Sequence, residues 1–108
     1  MEENIRVRYS DKELEEFKAL IEEKIKKAQN DLELIRSSYM NSSKVTIKEE
    51  NTALAIRQEK FIRDLKNALI RIENKTYGIC RVTGKLIDKR RLMAVPHATL
   101  SIEAKNMQ

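Results

Sequence analysis

Apolar residues recur along the first two thirds of the chain at the spacing of a coiled-coil seam. From Leu14 they fall at Ile21, Ile25, Ala28, Leu32, Ile35 and Tyr39, in steps of seven, four, three, four, three and four. Phe17 covers the position skipped near residue 18, and Leu20 and Leu34 broaden the stripe. Steps alternating between three and four keep these side chains on one face of a helix and aim them at a partner helix. Ser10 and Glu13 form a capping box that opens this first helix, and Asp11 and Glu13 suit its positive end. A second seam reads Ile47, Leu54, Phe61, Leu65, Ala68 and Ile72, with Asn51 and Gln58 in the intervening slots and Ile62 and Leu69 widening it. Thr46 and Glu49 form its capping box. Its polar seam positions lie toward the loop, so the free end should pack less tightly than the base. Asn74 and Gly78 mark its end, with Lys75 placed for the helix dipole.

Between the seams, Ser37 to Thr46 breaks the pattern: clustered Ser and Asn compete for backbone hydrogen bonds and favour a turn. Two seams of similar length joined by a short polar loop should fold back as an antiparallel hairpin, a rod of roughly 40 Å at about 1.5 Å per residue. The same pattern is open to a second solution, a dimer formed by exchanging helices between chains. Ahead of the hairpin, Ile5, Val7 and Tyr9 alternate and predict an extended arm with one or two anchoring contacts.

The pattern changes after Gly78. Ile79 to Ile87 reads as a tight β-hairpin or knuckle around Thr83-Gly84, where the turn needs positive φ. Asp88 caps a short turn through Asp88-Lys89-Arg90-Arg91-Leu92. Pro96 stops helix, and Thr99 to Met107 reads as a short terminal helix with Leu100, Ala104 and Met107 on one side.

Composition supports a rod more than a sphere: charged residues make up 36% of the 108 and aromatics 5%, with two Gly and one Pro. The net charge of +5 is unevenly spread. Residues 11–36 carry eight acids and six bases, whereas 77–108 carry six bases and two acids. The basic C-terminal part suits an acidic protein surface or nucleic acid, or is a solvated face. A single cysteine excludes an intrachain disulfide and fits a reducing cytoplasm. No apolar run approaches the roughly 20 residues that cross a bilayer, and the first ten residues lack the apolar core of a signal peptide. No recognition helix with base-reading Arg or Asn spacing stands out, which argues against sequence-specific DNA binding.

The C-terminal part also has the frame of a four-ligand zinc ribbon, C-x2-C, fifteen to twenty residues, C-x2-C. The four positions are Cys80, Thr83, Ser101 and Ala104, at spacings of two, seventeen and two. Only Cys80 supplies a thiolate; Thr and Ser hydroxyls are poor zinc ligands and Ala has no donor. The expectation is a degenerate site without zinc, its place filled by a small core of Ile79, Val82, Leu86, Leu92, Val95, Ile102 and Ala104, with Cys80 as a small hydrophobe. Cys80 and His97 would make only half a metal site, so His97 reads as an ordinary core or surface histidine. As a catalytic Cys–His pair they lack an orienting third residue, and the chain reads as non-enzymatic. The fold class is then mostly α: an arm over 1–9, an antiparallel coiled-coil hairpin over 10–76 with its tip near 37–46, and a small zinc-ribbon-like module with a terminal helix over 77–108.

The run ALIRIENKTYGICRVTGKLIDKRRLMAVPHATLSIEAK, Ala68 to Lys105, resembles the DksA/TraR family of bacterial transcription regulators. The shared features are ALxRIE, YGxC, the TG turn, RLxAxP and S-x2-A where the family usually has C-x2-C. The likeness is to the cysteine-poor, zinc-independent branch. It implies a cytoplasmic factor that binds RNA polymerase through the secondary channel and modulates initiation. A nucleotide alarmone at the polymerase interface is a further implied partner; a membrane or a specific DNA sequence is not. The resemblance carries over Tyr77, Gly78, Cys80, Gly84, Arg91, Leu92, Pro96 and Leu100 as scaffold. It also offers Arg91 as a polymerase or nucleotide contact, against a plain reading of Lys89-Arg90-Arg91 as a solvated charge run. The family's tip usually carries D-x2-D-x-A; here Tyr39, Met40, Asn41, Ser42, Ser43 and Lys44 stand with no carboxylate before Glu49, and no tip residue is carried over. The reading from a different class is a coiled-coil interaction or assembly protein acting as a homodimer.

Overall fold

The computed structural model describes residues 7–41 and 45–107. Two long helices, α1 (Asp11–Asn41) and α2 (Val45–Glu73), are followed by α3 (Lys89–Ala94) and α4 (Ile102–Asn106). Helices α1 and α2 pack against each other as a hairpin, and the chain is elongated, 68 Å along its longest axis.

The capping box at the start of α1 forms as its sequence predicts. The Glu13 amide donates to Ser10 Oγ at 3.2 Å, and the Ser10 amide donates to Glu13 Oε1 at 3.0 Å. At the far end the helices run deeper into the tip than the Ser37–Thr46 break implies. Helix α1 continues to Asn41 and α2 begins at Val45, because Ser and Asn each cost only some tenths of a kcal/mol inside a helix. Thr46 therefore lies within α2 by its backbone; its capping side chain, and the tip side chains from Tyr39 to Lys44, lie outside the described residues.

The seam buries Leu14, Phe17, Ile21, Ile25, Ala28 and Leu32 from α1 against Ile62, Leu65, Ala68 and Ile72 from α2. Two seam expectations are corrected. Leu34 is 69% exposed and Leu54 is 43% exposed. Near the tip each helix has one neighbour, which covers only a narrow stripe, and Ala55 takes the inward place beside Ala28, Leu32 and Ile62. Gln58 fills its seam slot by donating from Nε2 to the Ala28 carbonyl at 3.0 Å. A polar side chain thus satisfies its own amide across the seam and fixes the register.

Helix α2 ends in a left-handed residue at Lys75 (φ 63°), not at Asn74 or Gly78. The amides of Lys75 and Thr76 donate back to the carbonyls of Ile72 and Arg71, at 3.1 and 2.9 Å, which is a Schellman closure. Lys75 also reaches Asp11 at the start of α1, Nζ to Oδ1 at 2.8 Å. The hydrogen bond from Lys75, with a second from Arg8, holds the Asp11 carboxyl below its ordinary value.

The expected β-hairpin is a knuckle with one bridge, Ile79 to Leu86. The Cys80 amide donates to Lys85 O, the Gly84 amide to Cys80 O and the Ile87 amide to Gly78 O. Asp88 caps α3 by accepting from the Arg90 amide at 2.8 Å. The terminal helix begins at Ile102, later than Thr99, because Ser101 is its cap.

The module shares its core with the base of the hairpin. Tyr77, Cys80, Ile87, Leu92, Ala98 and Ala104 join Tyr9, Leu14, Phe17, Ile21, Leu65, Ala68 and Ile72 in one buried cluster. Two members of the small core expected from the sequence stay outside it: Val82 is 50% and Ile102 57% exposed. Phe17 is the centre of the joint, with its ring 5.3 Å from Tyr9 and 5.1 Å from Tyr77. The arm contributes its one described anchor here. Tyr9 is buried and its hydroxyl donates to the Ile87 carbonyl, while Val7 is exposed and Ile5 lies outside the described residues.

Candidate functional site: the metal-frame positions and the cleft beside α2

The knuckle and the start of α4 bring three of the four frame positions around one sulfur. Cys80 Sγ accepts the amides of Thr83 and Ser101 at 3.5 and 3.4 Å. The other donors are committed locally: Ser101 Oγ accepts from the Ala104 amide at 3.1 Å, and Thr83 Oγ1 accepts from the Lys85 amide at 3.2 Å. Ala104 is fully buried and presents a methyl group. One sulfur, two hydroxyls and a methyl group do not make a tetrahedral zinc site, so this donor set does not fit the metal that the frame implies. Among the described residues no group of three or more His, Cys, Asp or Glu side chains is placed to hold a metal ion.

Other contacts occupy the frame positions. The amide donors that would face a metal-bound thiolate instead face the sulfur of a free cysteine. Burial opposes ionisation of Cys80, but the Thr83 hydroxyl and the amides of Ser101, Thr83 and Val82 outweigh it and pull its thiol down to about 6. The folded state therefore favours the thiolate; that contribution is complete above the ordinary value of 9.0 and is lost as pH falls through about 6. The ultraviolet absorbance of the thiolate should titrate with a midpoint near 6 in the folded protein. A midpoint at the ordinary 9.0 would mean that the amide cradle has no electrostatic effect.

Beside the module, an open cleft of about 590 Å³ lies against the face of α2. Its lining includes Lys60, Asp64 and Arg71 from α2, and Arg81, Arg91, His97 and Lys105 from the module. Arg91 is half-buried and donates from Nε to the Leu100 carbonyl at 2.8 Å. It thus braces the chain between α3 and α4 while its charge lines the cleft. Arg71 has lost part of its solvent: burial lowers its pKa, and its Nη2 has no hydrogen-bond partner among the described residues. The α2 members of this cleft carry no sequence signal, since charges at helical spacing look like any solvated face. Only the fold shows that the basic module sits against them.

Residues 75–106 match the family model described as the prokaryotic dksA/traR C4-type zinc finger. Protein YteA of Bacillus subtilis is 45% identical over 56 residues, which cover 52% of this chain and 23% of that protein. The RNA polymerase-binding transcription factor DksA of Caulobacter vibrioides is 47% identical over 49 residues, covering 45% of this chain and 34% of that protein. The chain therefore matches about a third or less of the length of these curated relatives. The solved structure of transcription factor DksA2 from Pseudomonas aeruginosa superposes with a TM-score of 0.75 at 30% identity, over 88% of this chain and 81% of that one. The agreement spans hairpin and module together, and on it this chain belongs to the DksA/TraR family.

Proposed function

We propose that this protein is a non-enzymatic transcription regulator that binds RNA polymerase through its secondary channel and modulates initiation without reading promoter sequence. The observation that carries this is the fold-wide likeness to transcription factor DksA2, hairpin and module in one arrangement. The physical features agree with it. A narrow helical rod anchored on a broader base is a shape that enters a channel while its base grips the rim. The base is also where the cations gather. Lys60, Arg71, Arg81, Arg91 and Lys105 line the cleft, and among the described residues Asp64 is the carboxylate that faces them. An acidic rim, or a phosphate-rich nucleotide alarmone held at the polymerase interface, is the partner such a surface attracts. Arg91 belongs to this proposal as a contact through the part of its guanidinium that the Leu100 carbonyl does not occupy.

The assembly reading, a dimer by helix exchange, would make between chains the same seam that α1 and α2 make within one. The test is retention of purified core RNA polymerase on the immobilised protein at low salt. Retention that is competed by free protein is expected. Absence of retention at micromolar protein would overturn the proposal.

A further inference from the structure

His97 is the chain's one histidine, and it stands at the joint between the two parts of the molecule. Its ring meets the Phe61 ring of α2 edge-on, with centroids 5.2 Å apart and planes at 78°. Its backbone is held from the module side: the Tyr77 hydroxyl donates to the preceding carbonyl, Pro96 O, at 2.8 Å, and the following Ala98 is buried. The ring therefore has little freedom to swing away while the module stays docked.

The surroundings suit a neutral ring. His97 Nδ1 is buried and has no hydrogen-bond partner among the described residues. A neutral imidazole protonated at Nε2 leaves only a lone pair there, whereas an imidazolium places an N–H donor with no acceptor in the same spot. The charges near the ring are of both signs: the Asp64 carboxylate favours an imidazolium, whereas Lys60 and Arg71 repel it. These three belong to α2; Arg81, Arg91 and Lys105 of the module line the same cleft. Lys60 and Asp64 are themselves paired, Nζ to Oδ2 at 2.9 Å, which reduces what Asp64 offers to a cation.

We propose that His97 is a pH-sensitive latch between the C-terminal module and α2: the neutral ring packs on Phe61 and holds the module down, and protonation loosens that joint. Burial, with added repulsion from Lys60 and Arg71 and against the attraction of Asp64, sets its pKa below the ordinary 6.5. The released module then binds the proton more readily than the docked one. Docking is strongest above 6.5 and weakens as pH falls through the lowered value. This device does not depend on the polymerase reading, since it concerns the free protein.

The test is nuclear magnetic resonance of the whole chain through mildly acidic pH, where the single imidazole gives one unambiguous titration. The expected midpoint lies below 6.5, and the cross-relaxation peak between the His97 and Phe61 rings should disappear as the ring protonates. Lys60→Gln should raise the midpoint and Asp64→Asn should lower it. His97→Gln, which cannot ionise, should leave the module's resonances unchanged through the window, apart from those around Cys80, whose own titration Cys80→Ala identifies. A midpoint at or above 6.5, a ring contact that survives protonation, or a midpoint indifferent to both charge variants would overturn the proposal.

Discussion

Replacing Leu92 with Ala should lower stability by about 2–5 kcal/mol, the usual range for a buried leucine truncated to alanine. Leu92 is completely buried in α3, and that helix is six residues long. So short a helix is held by packing rather than by its own hydrogen bonds. The leucine sits among Tyr77, Cys80 and Ile87, and that cluster is continuous with Phe17 and Leu65 at the base of the hairpin. A cavity here therefore weakens both the module and its docking. Urea unfolding followed by far-ultraviolet circular dichroism would report the change as a lower midpoint at similar slope. A loss well under about 1 kcal/mol would mean that α3 contributes little to the core.

The second large effect is expected at Gly78. Its φ is +81°, and a Cβ added there would stand 2.7 Å from two ring carbons of Tyr9 and 3.2 Å from a Leu92 methyl. The Tyr9 ring cannot simply rotate aside, because it is buried and its hydroxyl is bonded to the Ile87 carbonyl. Gly78→Ala should combine a conformational cost of about 1–2 kcal/mol with an overpacking cost of about 1–3 kcal/mol. Gly84 is the internal control. It too has positive φ, at +74°, but its Cβ would meet nothing within 4 Å, so Gly84→Ala should carry only the conformational cost of about 1–2 kcal/mol. Equal effects at the two glycines, measured by the same urea titration, would contradict the packing of the N-terminal arm over the module.

Periodicity alone makes the hairpin legible in the sequence. Leu14 to Leu32 and Phe61 to Ile72 lie on the faces their spacing assigns, and Ser10, Asp88 and Ser101 bond to the helix starts as their side-chain chemistry allows. The helix ends at the tip are less legible, because serine and asparagine disfavour a helix without forbidding one. The shape of the degenerate metal site is visible in the spacing of Cys80, Thr83, Ser101 and Ala104. What fills its place is legible only in part: Leu92 and Ala104 are buried as expected, with Leu86 and Val95 packed against them. Val82 and Ile102 face solvent, and the space is closed by Tyr77, Ile87, Leu92 and the hairpin base. Long-range docking of this kind leaves no local pattern. The same holds for Tyr9, whose ring covers Gly78 from the far end of the sequence, and for the α2 side of the cleft.

The matched family model is a C4-type zinc finger, whereas the four frame positions here offer one sulfur cradled by amides beside a shared apolar core. The most direct measurement is therefore a binding titration of core RNA polymerase with protein that has been treated with a strong chelator and then freed of it. Saturable binding, equal to that of untreated protein and with an unchanged melting temperature, is the predicted result. Binding that disappears on chelation and returns with zinc would contradict it, and would require ligands outside the four-position frame.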